Sequence, residues 1–537
     1  MYPASYAQRR LWFLAQLEGP SATYNLPTAL RFRGVMDVDA LRAALGDVLA
    51  RHESLRTVFR PRDDEPMQVV LPVEQITVPL TVRPVVPEEL EEQLAVVAGR
   101  PFDLEHDLPI RAELLRLGPE DQVLVLVAHH IAADGWSFAP LARDLTSAYQ
   151  ARCAGRPPDW APLPVQYVDY TLWQQQLLGA PDDPGSLLNR QLGYWRDTLA
   201  GIPDHLALPT DRPRPPVASH RGATLPFTLP AGLHADLLTL ARRHDATLFM
   251  VIHAGLAALL TRMGAGTDIP IGAPVAGRTD PGLDDLVGFF VNTLVLRTRT
   301  QDNPTFAQLL AQTRTTNVDA YAHQDLPFDH LVEALNPDRS LARHPLFQVA
   351  LAFQNFHQPD IHLPGTHITA EPVPTDVAPF DLALYLTERH GPTGVPAGIE
   401  GQAEYATDLF DPGTVDQLLH RLERLLAHAA QDPGTPVGDL DIWLPGEHHR
   451  VLSQWNDTTT PLDPTTLTRR FEQQAAKTPD AIAVTDGTTT LTYRQLNEQA
   501  NQLAHHLLTH DAGPEKYIAL AIPRSTHLLT ALLATLK

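Results

Sequence analysis

The stretch Val123-Leu124-Val125-Leu126-Val127-Ala128-His129-His130-Ile131-Ala132-Ala133-Asp134-Gly135-Trp136-Ser137 constrains this chain more than any other. Its consecutive valines and leucines predict a strand buried on both faces, and that strand runs straight into two histidines, an aspartate and a glycine. Polar groups at the end of an apolar strand cost stability unless they have partners or a task. Side chains alternate along a strand, so His129 and His130 diverge if the strand reaches them. One then faces a cavity while the other packs behind it. Asp134 and Gly135 follow in a turn, and Ser137 is placed to cap a helix rich in Leu and Ala.

Three readings of this stretch compete. It is a strand end with satisfied core histidines, a metal site, or an acyl-transfer site in which one histidine serves as base or orienter beside a structural carboxylate. The metal reading lacks a third or fourth ligand at a suitable spacing nearby, so no metal ligand is assigned. Composition narrows the field. A formal net charge of −22 argues against a nucleic-acid partner. One cysteine, Cys153 in a loop, excludes a disulfide framework and sets a reducing, cytoplasmic compartment as the expectation. No apolar run reaches about 18 residues and no basic and apolar leader opens the chain, so no membrane partner is expected. The 537 residues exceed one ordinary core. Prolines cluster at Pro157–Pro164, Pro203–Pro230, Pro433–Pro445 and Pro461–Pro464, the candidate linkers and lobe borders.

Taken in order, Ser5 to Leu17 reads as a short helix and Thr28 to Arg33 as an extended segment. A helix capped by Asp37 or Asp39 carries Leu41, Ala44, Leu45 and Val48 on one face. Ala231 to Met263 is helical twice, broken at 242–245. A helix led by Pro304 runs through Tyr321, and Leu346–Phe353 and Ile399–Tyr405 read as strands. Through this pattern run further blocks: Arg51-His52-Glu53-Ser54-Leu55-Arg56-Thr57-Val58-Phe59, Tyr167-Val168-Asp169-Tyr170-Thr171-Leu172-Trp173-Gln174, and Val287-Gly288-Phe289-Phe290-Val291-Asn292-Thr293. His323-Gln324-Asp325-Leu326-Pro327-Phe328-Asp329 and Arg343-His344-Pro345-Leu346-Phe347-Gln348 complete them. With the opening segment and the His-His stretch, these seven ordered blocks resemble the core motifs of condensation domains of nonribosomal peptide synthetases. After a polar linker, Leu491-Thr492-Tyr493-Arg494-Gln495-Leu496-Asn497 resembles the first core motif of adenylation domains.

The resemblance implies an α/β fold: a two-lobed, pseudo-dimeric V related to chloramphenicol acetyltransferase, with the His-His turn at the seam. The expected division is 1–175 and 176–445 for the two lobes, 446–466 for a linker and 467–537 for part of an adenylation domain. No later adenylation block occurs in these residues, so adenylation activity is not expected. His505-His506 repeats the histidine pair without the aspartate and glycine, and reads as partly exposed helix surface.

The implied reaction is peptide-bond formation by aminolysis of a thioester. The aminoacyl or peptidyl group arrives on the 4'-phosphopantetheine arm of a donor carrier domain and passes to the amine of an acceptor aminoacyl-carrier. The chain itself binds no cofactor on this reading, and its partners are the two carriers and its own adenylation domain when complete. The resemblance assigns the reaction to His130, with His129, Asp134 and Gly135 completing the motif and Trp136 and Ser137 structural or tunnel-lining. Asp134 needs a cation: Arg278 is the favoured partner and Arg51 the second. Gly135 serves a backbone conformation or close approach that a Cβ would block. Asn292 either hydrogen-bonds within the tunnel or caps backbone at a strand end. The first and fifth blocks look like peptide-forming members taking an L-configured donor. An epimerisation-type member and a catalytically silent recruitment module are the alternatives.

Overall fold

The computed structural model describes residues 1–537 apart from 20, 338–339, 355–362, 364–365, 375 and 463. Its strand Asp121–His129 is buried from Gln122 to its end, because it lies at the centre of a five-stranded sheet. The order is His367–Glu371, Asn25–Arg33, Asp121–His129, Ile110–Gly118, Leu80–Pro84, antiparallel except for the last pair. Alternation assigns the two faces. Leu124, Leu126 and Ala128 pack with Leu41, Ala44, Leu45 and Val48 of helix Val38–Arg51 and with Leu141 and Leu145 of helix Phe138–Cys153. Val123, Val125 and Val127 pack with Leu90, Leu94, Phe102 and Leu11 on the other side. The strand Asn25–Arg33 extends past the expected Thr28 start to include Pro27, which has no N–H to donate. It is tolerated because His367–Glu371 pairs only with Ala29–Arg33, leaving Pro27 at a free edge on that side.

The second sheet has six strands, in the order Asn292–Arg299, Asp268–Val275, Val349–Phe353, Leu382–His390, Pro396–Ala406, Gly222–Leu229. Helix Leu248–Arg262 is buried on every side from Met250 to Leu260 and anchors the largest core cluster with Leu418, Leu422 and Leu425. The break before it falls at His244–Thr247, where Asp245 takes a φ of 51° and Thr247 caps the new helix. Two expected boundaries shift for local reasons. Thr305, not Pro304, caps helix Phe306–Ala322, through a reciprocal pair of bonds with Gln308. The strand expected from Leu346 begins at Val349, since Leu346 has a φ of 67°.

The chain divides into two compact units, Met1–Pro445 and Gly446–Lys537. Within the first, the expected lobe border at 175/176 falls inside helix Tyr167–Leu178, and His367–Glu371 crosses back to join the first sheet. The lobes are therefore not contiguous stretches of sequence. The second unit contains helix Leu467–Lys477, a hairpin of Ile482–Thr485 with Thr490–Thr492, and helices Tyr493–Thr509 and Thr526–Leu536. Leu467, Ile482, Leu508, Tyr517 and Leu536 stay exposed in it, as do His505 and His506. Among the described residues no single helix is long and apolar enough to cross a membrane.

Several histidines are sealed in this fold as neutral rings. Burial drives His253 down to about 4 and His344 to about 3. His253 hydrogen-bonds Asn317 Oδ1 at 3.2 Å and Thr298 Oγ1 at 3.1 Å. Unfolding returns such a ring to about 6.5, so below that pH the unfolded chain binds a proton that the folded chain refuses. Stability therefore falls as pH drops from about 6.5 toward 4, by about 1.4 kcal/mol per pH unit for each such ring. The variant His253→Gln is expected to be less stable at pH 7, yet to show a slope shallower by that amount between pH 6 and 4.5. Urea unfolding across this range measures it; an unchanged slope would show that His253 does not contribute.

Candidate active site

The strand ends at His129, and the chain bends into a short 3₁₀ turn, Gly135–Ser137, that leads directly into helix Phe138–Cys153. The two histidines part there. His129 is buried; its Nδ1 accepts the Ile131 N–H at 3.1 Å and its ring meets Phe102 edge-on at 5.9 Å. Burial, helped by His130 and Arg111, holds it down at about 3, so it is neutral. His130 stays partly exposed, with its ring 4.6 Å from that of Phe289 and its buried Nδ1 without a hydrogen-bond partner among the described residues. Burial lowers its pKa below the usual value, although Asp134 pulls the other way.

Asp134 is completely buried. Its Oδ1 accepts the Ser137 N–H at 2.9 Å and lies 3.3 Å from Arg278 Nη2, while Oδ2 accepts the Phe290 N–H at 3.0 Å. The Ser137 hydroxyl proton has two acceptors, Asp134 Oδ1 at 2.8 Å and the Gly288 carbonyl at 2.9 Å. The same oxygen accepts from Arg278 and from the Gly288 N–H, both at 3.1 Å. Ser137 is thus a crosslink rather than the cap expected of it: Asp134 caps the 3₁₀ turn, and Ser137 makes no side-chain cap bond to the helix. Arg278 also donates to the carbonyls of Leu283 and Leu286 and lies over the Phe290 ring at 4.2 Å.

Two glycines permit these approaches. A Cβ on Gly288 would stand 2.3 Å from the Tyr167 ring, and Gly277 has a φ of +65° with its missing Cβ 2.0 Å from the Phe290 carbonyl. Gly135, the first residue of the turn, does not have a positive φ, so the left-handed conformation is not what it serves. Trp136 sits partly exposed beside it.

Arg51 is not a partner of Asp134. It donates to Asp144 at 2.7 Å and to the Ala161 carbonyl at 2.7 Å, and stacks on Trp160 at 4.9 Å. Helix Val38–Arg51 packs against helix Phe138–Cys153, so the nearest buried carboxylate to its last residue is on that helix; His52 shares it at 2.9 Å. Asn292 caps backbone. Its amide donates to the carbonyls of Gln324 and Leu326 at 2.8 and 2.7 Å, and its oxygen accepts from the N–H groups of Thr293 and Phe328.

Other residues of the recognised blocks reach the site without having been assigned a role. Gln8 donates to the Ile131 carbonyl at 3.2 Å, and the Tyr167 hydroxyl links Ser5 Oγ at 2.9 Å to the Phe289 carbonyl at 2.6 Å. Arg10 lies between Asp329 at 3.5 Å and His344 Nε2 at 3.3 Å. Burial raises Asp329 to about 6 against the pull of Arg10. The Ser5-x-x-Gln8 capping box was legible in the sequence; the contacts from Gln8 and Arg10 were not, since they span 123 and 334 residues.

A family model of the condensation domain matches residues 1–452, and one of AMP-binding enzymes matches 471–537. A dimodular nonribosomal peptide synthase of Bacillus subtilis is 50% identical over 100% of this chain and 22% of its own length. A probable non-canonical nonribosomal peptide synthetase of Salinispora arenicola is 53% identical over 99% of this chain and 7% of its own length. The chain spans less than a quarter of these relatives. Among solved structures, the X-domain from teicoplanin biosynthesis is 40% identical with a TM-score of 0.78, covering 82% of this chain and 97% of that one. A four-domain nonribosomal peptide synthetase bound to AMP and glycine shares the fold at 22% identity and a TM-score of 0.82, covering 99% of this chain and 40% of that one.

Removing one member of a buried charge pair costs about 3–5 kcal/mol. Asp134→Asn and Arg278→Ala are each expected to lose stability on that scale in urea unfolding. A wild-type unfolding curve for either variant would show that the pair is not structural.

Proposed function

This chain belongs to the condensation-domain family of nonribosomal peptide synthetases, and on that premise we propose that it forms peptide bonds by aminolysis of a carrier-bound thioester. The amine of the acceptor aminoacyl group attacks the donor carbonyl. A C–N bond forms, the C–S bond breaks, and the phosphopantetheine thiol leaves with the proton the amine gives up. The thioester is already activated, so no covalent enzyme intermediate is needed. An α-amine has a pKa of about 7.7–8.0, so part of it is neutral without help. Holding the reactants in line is worth up to about 7–11 kcal/mol.

The observation that carries this reading is the state of His130. It is the partly exposed histidine of the pair, and burial lowers its pKa so that the ring is neutral at pH 7. A neutral imidazole accepts a hydrogen bond from the attacking amine and takes its proton as the bond forms, work typically worth about 10²–10⁴-fold. In this mechanism Asp134 and Arg278 hold the turn and exchange no proton. The two carrier domains, the L-configured donor and a cytoplasmic setting belong to the same proposal.

A second reading has one observation behind it: the X-domain, 40% identical to this chain, has been solved in complex with OxyB, which suits a recruitment module. The histidine turn favours catalysis here, because a docking surface has no use for a neutral imidazole set at the end of a buried strand.

Donor and acceptor carriers loaded with defined aminoacyl groups, read by intact mass, test the proposal. The wild-type chain is expected to yield dipeptidyl-carrier. His130→Ala is expected to lose at least about 10²-fold in rate with unchanged unfolding; near-normal yield would remove His130 from the reaction. Residues 446–537 are expected to be dispensable for this step, so truncation near residue 450 should leave the dipeptide rate within about twofold. A larger loss would give the second unit a part in condensation.

A further inference from the structure

We propose that His234, Glu388 and His390 form a site for one divalent cation of the zinc class, on the second sheet and outside the catalytic turn. Glu388 and His390 are two apart on strand Leu382–His390, which puts both side chains on one face. His234 lies in the first turn of helix Ala231–Arg243. The potential ligand atoms of the three residues lie within 4.8 Å of one another. His234 Nε2 is 3.4 Å and His390 Nε2 3.7 Å from the same Glu388 oxygen. Tetrahedral zinc with bonds of about 2.0–2.2 Å sets its ligand atoms about 3.4 Å apart. Two edges of the tetrahedron are therefore nearly formed, and the third closes by a movement of the exposed His390 ring.

The surroundings favour a cation over a plain hydrogen-bonded cluster. His234 is fully buried, and the one polar contact of its ring is the long one to Glu388, while Nδ1 has no partner among the described residues. The neighbouring cation, Arg389, is committed to Glu400 at 2.5 Å. Among the described residues Glu388 has only the two imidazoles as ion-pair partners. One carboxylate between two imidazoles is a ligand set of the kind found in three-ligand zinc sites. The register shifts between Arg389 and His390, where Arg389 pairs with Gly398 and His390 with Pro396, so the extra residue, Ala397, lies on the partner strand and the alternation of Leu382–His390 is kept. A bound ion would staple the helix to the end of this hairpin.

The test uses the chain without a histidine tag, stripped by chelator dialysis and titrated with zinc against a chromophoric chelator, with cobalt absorption as a second probe. One equivalent is expected to bind, to raise the unfolding midpoint, and to give the intense visible bands of tetrahedral cobalt. His390→Ala and Glu388→Gln are each expected to weaken that equivalent at least about tenfold and to abolish the rise in midpoint. No stoichiometric uptake, or one equivalent undiminished in both variants, would overturn the site. Activity in dipeptide formation is not the readout, so failure here leaves the condensation reading untouched.

Discussion

A carboxylate that water never reaches organises the site. Burying Asp134 is repaid only if its oxygens are saturated by donors and its charge is matched, and both conditions are met by groups from distant parts of the chain. Arg278 supplies the charge, Ser137 and Phe290 supply N–H groups, and the Ser137 hydroxyl relays the network to both backbone groups of Gly288. Gly288 and Phe290 are therefore both fastened to the histidine turn, and Phe289 between them is held with its ring on His130 and its carbonyl on Tyr167. One buried charge thus sets the position of the turn, of the segment facing it, and of the aromatic ring against which the exposed histidine rests.

The central strand explains why two adjacent histidines have different fates. Val123, Val125 and Val127 face one core, and His129 continues their parity into the cluster of Phe102. Leu124, Leu126 and Ala128 face the other core, and His130 lies just past the strand's end, where the main chain turns away and its N–H bonds the Tyr24 carbonyl at 2.8 Å. Period-two alternation makes this divergence readable before any coordinates exist.

Much of the fold was legible for the same reason: it is local. Apolar runs and capping residues set most elements to within a few positions, and the ordered blocks pointed to the family. Legibility ended where partners are distant. Charge compensation alone pointed to Arg278 as well as to Arg51, and only packing separates them, because Arg51 meets Asp144 on the helix beside its own. Three of the four bonds of Asn292 close a loop more than 30 residues away, so neither of its two readings could be preferred from composition. The His234–Glu388 contact spans 154 residues and has no motif to announce it. The lobe border failed differently: a strand that returns to the first sheet from residue 367 has no signature in its own sequence.

The same bonds that hold Asp134 in place weigh against its taking part in proton transfer. A carboxylate offers about four lone-pair sites. In Asp134 the Ser137 N–H and hydroxyl and Arg278 all meet Oδ1, and the Phe290 N–H meets Oδ2. Taking a proton from substrate would mean giving up one of these bonds and discharging a buried ion pair, at a cost of several kcal/mol. His130 is held by no such ion pair: its ring is partly exposed and its pKa is lowered by burial. On the proposed mechanism the group held by four donors stays ionised and in place, while the partly exposed histidine beside it takes the proton.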